Sequence, residues 1–170
     1  MGEVDVLGLP VPAAGPVFLI ALAVHVVAAL VCVLAGAAAA LSRKGGGWHV
    51  RFGQVYVWGL GVVFATMLVM VLVRWPHDTP LLVVGCLAAA AVVLGVVDRR
   101  RGRRRDGMHL VAMGLSYVAL LTGFYVDNGA NLPLWDRLPG WAYWVLPALL
   151  GAPMMARALQ RRQLLGQVRP

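Results

Sequence analysis

Five long apolar runs, each ended by a cluster of charge, glycine or proline, organise the chain. They cover residues 16–41, 55–73, 80–97, 108–126 and 140–159. A helix rises 1.5 Å per residue, so each run is long enough, or nearly so, to cross about 30 Å of hydrocarbon. The pattern predicts an all-α, polytopic transmembrane helix bundle of about five spans, one integral membrane domain over residues 1–170. Residues 74–79 leave space only for a tight hairpin between the second and third spans, with Pro76 and Pro80 as helix breakers. Pro147 and Pro153 lie inside the fifth run and predict a kink. A loop containing Asn128-Gly129, a turn-forming pair, separates the last two spans.

Composition sharpens this picture. Hydrophobic residues make up 61% of the chain and charged residues only 13%, against about 25% charged in a soluble domain. A water-soluble core of this size could not hide so many apolar side chains. A bilayer can.

The charge is also sided. Thirteen of the fifteen basic residues fall together if Arg43, Lys44, Arg51, the arginine run at 99–105, Arg157, Arg161, Arg162 and Arg169 share one face. Only Arg74 and Arg137 remain opposite, with Glu3, Asp5, Asp78, Asp127 and Asp136. Five crossings satisfy this grouping, and the positive-inside rule then puts the N-terminus outside and the C-terminus in the cytoplasm. Trp48 marks the inner boundary, and Trp75, Trp135, Trp141 and Trp144 mark the outer one. Trp58 sits a turn inside a span.

A net charge of +8 raises the question of nucleic acid. Arg99, Arg100, Arg101, Arg103, Arg104 and Arg105 carry no interleaved aromatic residues and no nucleic-acid motif. In a membrane protein such a run fixes topology and touches anionic lipid headgroups. Ala38 and Ala40 mimic a signal-peptidase site, but Glu3 and Asp5 stand where a leader would be basic, and the run is long. It reads as a retained helix. Cys32 and Cys86 both fall inside spans without paired spacing and read as small packing residues.

Ionisable residues in or beside the spans are where chemistry would sit, because burying them without a partner is costly. His25 lies about 12 to 15 Å inside the first span by rise-per-residue counting. It shares a face with Ala28, Ala29, Cys32, Gly36 and Ala40, a small surface suited to close helix packing. This reads as a neutral histidine bonded to a neighbouring helix, or as a ligand or proton-handling group. His109 opens the fourth span above Met113, Ser116, Leu120, Gly123 and Asp127, with Tyr117 at the edge of the stripe. Such a line is interhelical glue, a cofactor wall or a narrow hydrated path. His49 stands near the same depth before the second span, and His77 reads as a solvated turn residue.

A haem is the cofactor these residues suggest, with His25, His49, His109 and Met113 as candidate ligands. His25 and His109 differ in height by roughly 15 Å and cannot share one iron. His49 with His109, or His25 with Met67 or Met70, are the pairings depth allows. No CxxCH, Walker, HExxH or glycine-rich nucleotide motif occurs, and no metal site is indicated.

The residues around the histidines resemble a bacterial family of membrane proteins described as domain of unknown function 2306. The likeness rests on His25 with Gly36, on His49, Gly53 and Tyr56 as H-x-x-x-G-x-x-Y, and on His109, Met113, Ser116 and Tyr117 as H-x-x-x-M-x-x-S-Y. The stretch from Phe124 to Gly129 and the Leu132-Pro133-Leu134-Trp135 segment extend it. Val50 and Leu110 replace arginines that often follow both histidines in that family, which weakens an anion-binding role there. The resemblance implies a multi-pass protein of a bacterial cytoplasmic membrane and brings no activity with it.

The leading expectation is therefore a non-catalytic membrane component, a subunit, assembly or interaction protein. Its expected partners are the bilayer, anionic headgroups, and a second copy or another membrane protein, with no nucleic acid. A b-type haem redox protein is the alternative, and passage of protons or a small solute the second. No acid–base constellation points to an enzyme.

Overall fold

The computed structural model describes residues 3–6, 9–12, 15–44, 46–76, 78–100, 106–133 and 135–167. Five helices carry the chain: α1 (Pro16–Leu41), α2 (Gly47–Val73), α3 (Thr79–Arg100), α4 (Asp106–Asn128) and α5 (Gly140–Gln167). A 3-10 turn follows α4 at Gly129–Asn131. An antiparallel hairpin of β1 (Glu3–Val6) and β2 (Leu9–Pro12), which the apolar pattern did not announce, precedes α1. All five helices are long and apolar enough to span a bilayer, and the protein is an all-α, multi-pass membrane protein.

Burial argues the same way. In no helix is more than 28% of the most apolar window covered by protein. Ile20, Val27 and Leu34 of α1 are each more than 60% exposed. In water that surface would be untenable for a monomer. In hydrocarbon it is the solvated face.

The helices overrun the predicted spans where polar residues continue the backbone ladder beyond the hydrocarbon. α2 begins eight residues early, at Gly47, and takes in Trp48, His49, Arg51 and Gln54. α3 continues through Asp98, Arg99 and Arg100. α5 runs unbroken past both internal prolines to Gln167, as membrane helices permit when neighbouring groups satisfy the freed carbonyls. At α1 the entry is set by Gly15, whose φ of 87° favours a residue without Cβ, and by Pro16 in the first turn.

The chain divides into two compact units, Met1–Leu82 and Val83–Pro170. In the first, α1 and α2 form an antiparallel pair. α1 buries Phe18, Ala21, Cys32 and Ala35, and α2 buries Tyr56, Leu60, Val63, Met67 and Val71. These positions keep the three-and-four spacing of a helix seam, mostly small side chains facing large ones. The helices come close at Gly59, where a Cβ would stand 2.7 Å from Cys32 Sγ. At the far end Arg74 lies 5.8 Å over the Phe18 ring and pairs with buried Asp78 at 3.5 Å.

In the second unit α4 touches both α3 and α5. Gly95 of α3 receives Met113 and Ala112, and Val84 faces Gly123. Along α5, Met155 lies over Gly114 and Gly151 receives Val118. The loop after α4 is a packed cap rather than an open turn. The Tyr143 ring covers Gly129, where a Cβ would come within 2.6 Å of it, and the Tyr143 hydroxyl donates to the Trp135 carbonyl at 2.8 Å. Trp135 stacks on Tyr125 at 4.7 Å.

Candidate functional site

Each of the three described histidines uses Nδ1 to join two helices. In the first unit, His25 Nδ1 lies 3.0 Å from Thr66 Oγ1 on α2. The Thr66 hydroxyl donates to the Val62 carbonyl at 2.8 Å, with Val63 O at 3.0 Å. Its one hydrogen is thereby used, so His25 Nδ1–H donates to Thr66 Oγ1. The small face of α1 predicted from Ala28 and Cys32 is the face that meets α2, and it brings His25 with it. Nothing in the apolar pattern singled out Thr66. The available signal was a hydroxyl on the second span at the height of His25.

The other two histidines repeat one arrangement. His49, in the first turn of α2, donates Nδ1–H to the Ala39 carbonyl at 2.8 Å. His109, in the first turn of α4, donates Nδ1–H to the Gly95 carbonyl at 3.0 Å. A carbonyl has no hydrogen to give, so both rings carry their proton on Nδ1 if neutral. Ala39 lies in the last turn of α1, where carbonyls lose their intrahelical partners. Ser42 takes the Ala38 carbonyl by its backbone N–H at 3.0 Å and its hydroxyl at 2.6 Å, and His49 takes the next one. The histidine thus caps one helix from the start of the following one.

The polar stripe of α4 lies partly inside the second unit. Ser116 is fully buried and donates to the Met113 carbonyl at 2.8 Å. Met113 packs its sulfur against Gly95, the residue whose carbonyl His109 binds. Ala112, Ala119 and Thr122 of the same helix are buried as well. Tyr117 is half-buried, and Asp127 is exposed at the end of the helix, where Asn128 Nδ2 donates to it at 3.4 Å.

Which haem pairings survive this geometry? His25 and Met67 belong to one closely packed helix pair, with imidazole and threonine in direct contact one residue away. A porphyrin cannot enter there without separating the helices. Among the described residues no three of His, Cys, Asp or Glu gather into a metal site.

No family model, curated protein or solved structure matches the chain. Its chemistry therefore rests on its own residues. Arg99 and Arg100 close α3 as exposed residues. Arg101, Arg103, Arg104 and Arg105 lie outside the described residues, as do His77 and Arg169.

Proposed function

We propose that this chain is a non-catalytic component of a bacterial cytoplasmic membrane, a subunit, assembly or interaction protein with its N-terminus outside and its C-terminus inside. The observation that carries the reading is the use of His25, His49 and His109 as helix-to-helix bonds. The residues best placed for intramembrane chemistry hold the scaffold together instead. The grouping of thirteen basic residues on one side supports the orientation. Native mass spectrometry of protein purified in mild detergent tests the claim. A stable homo-oligomer or a defined membrane-protein partner is expected. A strictly monomeric chain that recovers no partner contradicts it.

One observation favours a second reading, a b-type haem protein. Donation of Nδ1–H to a backbone carbonyl is how metal-binding histidines are commonly oriented, and it leaves Nε2 with its lone pair at His49 and His109. Expression with ample haem followed by a visible spectrum separates the two. A Soret band lost in His49→Ala or His109→Ala favours the cofactor, and a featureless spectrum removes it.

A further inference from the structure

The first turn of α2 does more than begin a helix. Trp48 and Phe52, one turn apart, stack with ring centroids 5.7 Å apart at 27°. Arg51 places its guanidinium over the Trp48 ring, 5.6 Å from its centroid. Trp48 remains 63% exposed although it holds two neighbours. Between them, on the same turn, His49 ties the helix to Ala39 and so fixes where the group stands.

No carboxylate of the surrounding sequence answers the charge here. From residue 6 to residue 77 the sequence contains no aspartate or glutamate. Asp78 belongs to the opposite end of the α1–α2 pair, where it binds Arg74. Arg43, in the turn before α2, and Arg51 have no ion pair among the described residues. A guanidinium over an indole, with no carboxylate bound to it among the described residues, has N–H groups to offer, and its planar fork matches a phosphate in two-point fashion. Indole rings settle at headgroup depth, where phosphates are.

We infer that the start of α2 is a headgroup site for an anionic phospholipid, with Arg51 on the phosphate, Trp48 at the interface and Arg43 adding charge. Two features favour lipid over a free anion. The site stands at the end of a span, and Trp48 and Val50, with Val55 a turn further along, present apolar surface beside it for acyl chains.

The test measures retention of phosphatidylglycerol and phosphatidylcholine by the purified full-length chain, using native mass spectrometry. The wild type is expected to retain phosphatidylglycerol in preference. Arg51→Gln should lower that retention about fivefold, and Arg51→Lys, which keeps charge but not the planar fork, should fall between. Arg161→Gln, an exposed arginine on α5, should leave it unchanged. Circular dichroism of each variant shows whether the fold is intact. Equal retention of both lipids, no effect of Arg51→Gln in a folded protein, or an equal loss in Arg161→Gln would overturn the site. Displacement of phosphatidylglycerol by millimolar inorganic phosphate would overturn the lipid assignment.

Discussion

Thr66 and His25 show how a single contact can decide what a buried polar group does. A lone imidazole in hydrocarbon is a liability, and a hydroxyl whose proton is spent on its own helix is a good acceptor for it. Valine has nearly the shape of threonine without the acceptor. A double-mutant cycle of Thr66→Val and His25→Leu, read by unfolding in mixed micelles, should give a coupling of about 0.6 kcal/mol and no more than about 1.7 kcal/mol. Zero coupling would mean that the two side chains do not meet. Glycines offer a sharper contrast. Gly59→Ala should cost about 1–3 kcal/mol, because its methyl would meet Cys32 Sγ. Gly61→Ala, with nothing within 4 Å, should be neutral or stabilise by up to about 1 kcal/mol. The same unfolding assay reads both.

Helices and their joints behave as a second level. His49 at α1–α2 and His109 at α3–α4 make the same kind of bond, a histidine from the first turn reaching back to the preceding helix, at its last turn in α1 and more than a turn inside it in α3. Removing it by His49→Ala should cost about 1 kcal/mol, the net worth of one hydrogen bond, and should fray the end of α1 first. Amide exchange at residues 39–43, faster than in the wild type, would report this. Protection unchanged there would deny the cap. The spans themselves were legible, because apolar run length answers directly to bilayer thickness. Their ends were less so. α2 starts at Gly47 because helical hydrogen bonding continues through Trp48 to Gln54 after hydrophobicity has stopped. Asn128-Gly129 read as a turn; Asn128 ends α4 and Gly129 begins a 3-10 segment beneath Tyr143, a packing of ring on backbone that leaves no periodic trace. Tyr143→Phe should cost about 1 kcal/mol by removing the bond to Trp135, and fluorescence of the outer tryptophans should shift with it.

The whole molecule is held together by two different solvents. Hydrocarbon suits the broad apolar faces of all five helices, and in the proposed topology the headgroup region would take the tryptophans and arginines that end them. Sequence reading placed His25 on the inward face, because Ala28 and Cys32 on either side of the next turn are small. It could not name the acceptor, since partners across helices depend on register, which an apolar run does not encode. The same limit applied to Gly59 and Gly95, visible as small residues but not as the places where Cys32 and Met113 fit. The most direct test of the architecture is a set of topology reporters fused after residues 44, 76, 100, 131 and 167. Cytoplasmic fluorescence is predicted at 44, 100 and 167, and periplasmic phosphatase activity at 76 and 131. Finding the turns after 44 and 100 on opposite sides of the membrane would contradict the five-span, basic-side-inward arrangement.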